Sequence, residues 1–285
     1  MTRLRSTDLE GIAELLPHYD RELVQKTGID LLNIACRAVG VERPGVERCL
    51  SAVSVGIVPV STGKGIIPGF TGNLSALCSY LGCRSVVTSE SDVGGLREAY
   101  QNRCDVIMLV DDHHFVAVNT ITRHTADNDL CTAKGYVACL ALMTGGLRGK
   151  EVLVIGCGKV GTAAVFELIR LGAAVTVYDI DEGRGRDLKP KIEQELDVRI
   201  EVAADLNEQL NRQRLIVDAS TASGIIKARH ITADTFVSAP GIPLGLSSSA
   251  HKKVEKRLIH DPLQIGASTM LVESLRKDPE GKTPG

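Results

Sequence analysis

The apolar positions of the chain form two successive series of short uncharged runs separated by helically spaced stretches. In the first series, residues 53–60 (VSVGIVPV), 85–88 (SVVT) and 106–110 (VIMLV) are rich in β-branched side chains and have the length of buried strands. Helical spacing intervenes at 73–81 and 95–101, and the β-α-β-α-β succession predicts a small parallel sheet. Two helices are predicted ahead of it: a short one opening at a Thr7-to-Glu10 capping box with Ile12, Leu15 and Leu16 on one face, and one over 31–39. A largely apolar helix over 131–142 ends near Gly145-Gly146 and reads as a connector. The second series runs from strand 151–155 (EVLVI) through helix 160–171 to strands at 174–178, 215–217, 236–238 and 257–260. A helix over 267–275 closes it, and the polar tail, 276–285, is expected to fray. The expected fold class is α/β: an N-terminal α/β catalytic domain over 1–146 and a C-terminal Rossmann-type doubly wound parallel sheet over 147–285.

Composition narrows the class. The 285 residues hold no Trp, four Phe and five Tyr, so the cores must be aliphatic, as suits buried parallel sheets. Lys and Arg number 33 against 35 Asp and Glu, a net charge of −2 without a long basic run, which excludes the electrostatic footprint of a nucleic-acid binder and favours a small-molecule partner. No apolar stretch reaches the roughly 18 residues of a membrane span. The opening MTRLRSTDLEGI has no apolar core of the signal-peptide kind, and a cytoplasmic location is expected. Eight cysteines form no CxxC pair and no zinc-type spacing with His, so neither disulfide nor metal is expected.

The sharpest chemical signal is Gly156-Cys157-Gly158-Lys159-Val160-Gly161, set between a predicted strand and a predicted helix. Gly156 permits the tight turn, Gly158 lets backbone approach a pyrophosphate, and Gly161 lets the helix pack close on the strand. Lys159 and Val160 open the helix whose free N–H groups face the phosphates. Asp179 ends the next strand 23 positions after Gly156, where it is expected to bind the ribose hydroxyls and to favour NAD over NADP. Lys159 and Arg184 argue the other way, while Asp181 and Glu182 add negative charge. Small residues at two later strand exits, including Ser220 and Pro240, are expected near the nicotinamide, or serve only as loop punctuation.

Ligands of open α/β sheets gather beyond the carboxyl ends of strands. Ser61, Thr62 and Lys64 follow one such end, Asp111, Asp112, His113 and His114 another, and Asp261 a third, in the second half. Asp111-Asp112 reads equally well as a solvated turn and Asp261-Pro262 as an Asp-Pro turn. If both acids face a cleft between the halves, the chemistry they suit is amine oxidation. An ammonium group must lose a proton before hydride leaves, and carboxylates orient it while opposing that loss. No histidine stands out as the sole base, and His260 beside Asp261 reads better as a packed strand-end residue.

Five blocks give the chain a resemblance to the PylD family of pyrrolysine synthases: GIVPVSTGKGIIPGF (56–70), MLVDDHHF (108–115), VLVIGCGKVG (152–161), APGIP (239–243) and DPLQIGASTML (261–271). The resemblance implies NAD-dependent oxidation of the terminal amine on the methylornithine part of L-lysine-Nε-(3R)-methyl-D-ornithine, loss of ammonia, and ring closure to pyrrolysine. It also implies a homodimer and an N-terminal helix that closes on the substrate. Carried over by position, Leu4, Phe70 and Asn128 are substrate contacts, Thr62 stands where the family has serine, Asp111 matches an acid of the site, and Asp261 replaces a glutamate. The shorter Asp withdraws its carboxylate by about 1.5 Å, one C–C bond. His113 and His114 depart from the family pattern. Two alternatives stay open on the residues alone: another NAD(P)-dependent amine or pteridine dehydrogenase, and a non-catalytic NAD-sensing regulator.

Overall fold

The computed structural model describes residues 4–276, and the fraying expected of the tail falls on 277–285, outside the described residues. A single 3-10 turn, Ser6–Leu9, precedes helix α1, Ile12–Thr27. The capping expected of Thr7 is made differently. Thr7 lies inside the turn, the Arg5 N–H donates to the Asp8 carboxylate at 2.7 Å, and Gly11 at φ +71° starts α1. Helices α2 (Leu31–Val39) and α3 (Arg43–Ala52) follow, the first capped by Asp30, whose carboxylate accepts from Asn33 N–H.

Strands β1 (Ser54–Val58), β2 (Arg84–Val87) and β3 (Val106–Val110) alternate with helices α4 (Phe70–Tyr80) and α5 (Asp92–Gln101). The three strands pair in parallel, as their uncharged runs predict. The sheet does not stop there. Strands β4 (Phe115–Asn119) and β5 (Thr125–Asp127) extend it antiparallel in the order β2-β1-β3-β4-β5. The stretch 111–114 is therefore a hairpin turn, closed by Asp111 N–H donating to His114 C=O at 2.8 Å, and not a strand exit into a helix.

Helix α6, Asn128–Met143, is capped by Asp127, which accepts from Asp129 and Leu130 N–H. Beyond it lie β6 (Glu151–Ile155), α7 (Lys159–Arg170), β7 (Ala174–Tyr178), α8 (Glu182–Leu196), β8 (Glu201–Val202), α9 (Leu206–Arg212), β9 (Leu215–Asp218), β10 (Phe236–Ser238), α10 (Ser248–Val254), β11 (Leu258–Ile259) and α11 (Gln264–Ser274). All six strands are parallel, in the order β8-β7-β6-β9-β10-β11. That is the doubly wound order whose direction reverses between β6 and β9, where ligands bind.

The two sheets are joined through α6 and α11. Helix α11 is buried along its length and adds Ile265, Met270 and Leu271 to the apolar core of the first sheet, against α2 and α6. Gly135 on α6 and Gly266 on α11 make that approach possible. A Cβ on Gly135 would lie 2.4 Å from Ile265, and one on Gly266 would lie 2.4 Å from Thr132. Among the described residues no helix is long and apolar enough to cross a membrane.

Candidate functional site

The glycine turn after β6 is built as the sequence requires. Gly156 has φ +93°, and a Cβ there would sit 2.9 Å from the Ala219 carbonyl of β9's exit. A Cβ on Gly161 would meet the Gly156 carbonyl at 1.8 Å, so α7 rests directly on the turn. Gly158 differs from both, because a Cβ there would meet nothing within 4 Å. The fold does not need that glycine, and the space over it is open at the N-terminus of α7.

Beside it opens a cleft of ≈ 390 Å³ bordered by Gly156, Gly158, Lys159, Val160, Asp179 and Ser220, six of the residues singled out for cofactor binding. Gly161 lies buried beneath them. Asp179 ends β7 and is partly engaged by the protein: one carboxylate oxygen accepts Cys157 N–H at 2.7 Å, the other Asp181 N–H at 2.9 Å. A carboxylate has about four acceptor sites, so capacity remains for hydroxyl donors. Lys159 does not turn toward Asp179. Its Nζ lies 3.8 Å from an Asp129 carboxylate oxygen and donates to the His113 carbonyl at 3.3 Å. Ile180, 91 % exposed at the rim, offers an apolar surface beside the cleft that the sequence reading passed over.

A second cavity, ≈ 100 Å³, adjoins the cleft, and Asp129, Val160 and Ala219 line both. It brings together Leu4, Phe70, Asn128, Val160, Pro240 and Asp261 of the expected site. Phe70, expected in a loop, is the first residue of α4, and its ring meets Phe115 edge-on at 5.4 Å.

Both oxygens of Asp261 are engaged, and the Tyr136 hydroxyl also lies 2.7 Å from the Asp261 carbonyl. One oxygen accepts from Leu263 and Ile265 N–H at 3.0 and 3.2 Å; the other faces the Tyr19 hydroxyl at 2.7 Å and that of Tyr136 at 3.0 Å. Tyr136 also meets the Asp261 backbone, from whose N–H it accepts at 2.9 Å. Burial, and then the Asp261 charge, push both phenols well above their ordinary range. These tyrosines were missed. They fasten α1 and α6 to Asp261.

The expected convergence of Asp111 with Asp261 does not occur. Asp111 is exposed, and one of its oxygens accepts from His113 and His114 N–H, both at 2.7 Å, which holds its carboxyl below the usual range. It borders a separate pocket of ≈ 30 Å³ with Thr62 and Asp112; Phe70 forms the wall between that pocket and the Asp261 cavity. The hairpin turn produces this placement by consuming the carboxylate locally. His260, half-buried, has Nδ1 2.8 Å from the Ala239 carbonyl.

Two acids missed from the sequence complete the region. Asp129 is 5 % exposed, and its Oδ1 has no hydrogen-bond partner. Burial raises its pKa, against the lowering influence of Lys159 and His114. Asp218, at the end of β9, is fully buried and accepts from the Ser220 hydroxyl at 2.7 Å, which uses the group expected to face cofactor; burial pushes its pKa up to about 6.

Residues 8–126 match the family described as pyrrolysine biosynthesis protein PylD, N-terminal domain, and residues 131–238 match the alanine dehydrogenase/PNT C-terminal domain. Over 275 residues the chain is 33% identical to a pyrrolysine synthase of Methanosarcina barkeri and 32% identical to one of Methanosarcina acetivorans. These alignments cover 96% of this chain and 98% and 100% of the relatives. In fold it is similar to a quinate dehydrogenase from Corynebacterium glutamicum solved with NAD, at TM-score 0.54 and 15% identity, over 79% of this chain and 94% of that one. It is also similar to a shikimate dehydrogenase from Aquifex aeolicus, at TM-score 0.53 and 16% identity, over 80% and 94%.

Proposed function

The chain belongs to the pyrrolysine synthase (PylD) family, and from that premise we propose that it is a nicotinamide-dependent dehydrogenase of pyrrolysine biosynthesis. Its substrate is L-lysine-Nε-(3R)-methyl-D-ornithine, oxidised at the terminal amine of the methylornithine part. The observation that supports this best is that the glycine-turn cleft adjoins the cavity of Phe70, Asn128 and Asp261, with Asp129, Val160 and Ala219 lining both. A cofactor on the turn and a substrate in the cavity meet at that border.

Gly156, Gly158 and the N-terminus of α7 hold the pyrophosphate, and Asp179 receives the ribose hydroxyls. The Asp179 charge disfavours a 2′-phosphate, so the cofactor is NAD. When bound, the nicotinamide supplies a two-electron acceptor. The protein's own part is to orient the amine and to keep water out. Phe70, Phe115 and Leu4 form the apolar wall that lowers the local dielectric, and Asn128 offers a neutral polar group to the substrate. The reaction converts the terminal –CH2–NH3+ to an aldehyde with release of ammonium. The α-amine of the same methylornithine part then condenses with the aldehyde, and the water consumed in the first stage is released in the second.

The purified protein is expected to form NADH from NAD+ and this dipeptide, with a product lighter than substrate by NH3 and two hydrogens in mass spectrometry, and to turn over more slowly with NADP+. Absence of both NADH and the lighter product would overturn the assignment.

A further inference from the structure

Of the three acids considered for the amine, Asp111, Asp261 and Asp129, two are committed elsewhere, and only Asp261 and Asp129 border the cavity. Asp111 is exposed on the hairpin and holds its own turn. Asp261 has both oxygens engaged, one by two backbone N–H groups and the other by the Tyr19 hydroxyl, with the single Tyr136 proton shared between that oxygen and the Asp261 carbonyl. Asp129 remains. It borders both the glycine-turn cleft and the substrate cavity, it is 5 % exposed, and its Oδ1 has no partner. A buried acceptor left unpaired costs about 1–3 kcal/mol, and such a cost at the junction of two cavities points to a ligand that relieves it.

We infer that Asp129 is the catalytic base: its Oδ1 receives the proton from the substrate's terminal ammonium group before hydride is lost. The inference rests on the amine-oxidising reading above. One N–H bond breaks and one O–H bond forms on the carboxyl; the electron pair left on nitrogen is what drives the adjacent hydride to the nicotinamide. In water a carboxylate is a poor base toward an amine of pKa about 10. In a dry cavity, turning a cation and an anion into two neutral groups removes the desolvation penalty of both, which brings the transfer within reach.

The groups facing Asp129 set its pH range. Among the described residues, Asp127 at the end of β5 raises its pKa, and Lys159 of α7 and His114 of the β3–β4 hairpin lower it; Asp261, ahead of α11, borders the same cavity. Lys159, bonded to the His113 carbonyl, ties the hairpin to α7 and keeps a positive charge beside Oδ2, while Oδ1 stays buried and unpaired at the edge of the two cavities.

The test compares wild type with Asp129→Asn on the lysine-methylornithine dipeptide at saturating NAD+. The variant is expected to lose at least 100-fold in kcat near pH 7, the lower range for a general base, and to recover about tenfold per pH unit up to the amine's own pKa. Calorimetry adds a readout without turnover: dipeptide affinity measured without cofactor falls about tenfold, while NAD+ affinity stays within threefold. A kcat within threefold of wild type, or a pH profile parallel to it, overturns the inference. If Asp129→Asn does not fold, the exposed Lys159→Met is used instead. Loss of that charge is expected to move the acid limb of kcat to higher pH, and an unmoved limb overturns the inference. Wild type that yields no NADH from the dipeptide overturns the amine-oxidising reading and the inference with it; wild type that turns over while Asp129→Asn keeps pace overturns the inference alone.

Discussion

At the scale of single residues, environment rather than residue type separates the acids. Asp218 shows this in its clearest form. It is fully buried with only Ser220 on one oxygen, and burial lifts its carboxyl to about 6 from the 3.8 of an exposed group. The folded chain therefore binds a proton there that the unfolded chain lacks between about pH 6 and 4, so stability rises as pH falls through that window. The expected gain is about 3 kcal/mol over the two units. Urea unfolding of wild type and Asp218→Asn checks it: the difference between them grows in favour of wild type from pH 7 to pH 4, and a flat difference contradicts it. Asp218 was visible in the sequence only as a strand-exit residue. Its pKa comes from being sealed by β10 and by the chain around Gly245, where a Cβ would strike the carboxylate at 1.9 Å. Contacts of that kind, between residues far apart in the chain, leave no local pattern. Tyr19 and Tyr136 on Asp261 were hidden for the same reason.

At the scale of elements, the glycine turn divides into parts with separable duties. Gly161→Ala places a methyl against the Gly156 carbonyl and is expected to lower the melting temperature by several degrees and to abolish NAD+ binding together. Gly158→Ala, with open space around its Cβ, is expected to leave the melting temperature within a degree or two while weakening NAD+ at least tenfold. Thermal unfolding with calorimetry on both variants separates the cases, and an unchanged NAD+ affinity in Gly158→Ala would remove the pyrophosphate from the turn. This element was legible because strand, turn, helix and Asp179 obey one local spacing. The β3–β4 hairpin was not. Asp111-Asp112-His113-His114 follows an apolar run as a strand exit does, and only the return strand Phe115–Asn119, with its alternating burial, distinguishes the two. Helix α8 escaped because it is highly polar and contains Pro190, which leaves few apolar positions to mark a face.

At the scale of the whole molecule, a doubly wound sheet that carries the glycine turn is joined to a mixed sheet whose flanking helices line the Asp261 cavity. Helices α6 and α11 lock the two together. Both series of strands were legible, and most of the residues named for the site border one of the two cavities, because strand exits can be read one at a time. Which exits share a cavity depends on how the sheets pack, and there Asp129 takes the place that Asp111 was expected to fill. In the proposed reaction hydride leaves the terminal amine carbon of the methylornithine part, and isotopic labelling of that carbon follows it. With both of its hydrogens replaced by deuterium, the dipeptide is expected to pass one deuterium to the reduced nicotinamide and to keep one in the pyrroline product, as read by mass spectrometry of both. Unlabelled NADH, or a product that keeps both deuterium atoms, would contradict the account.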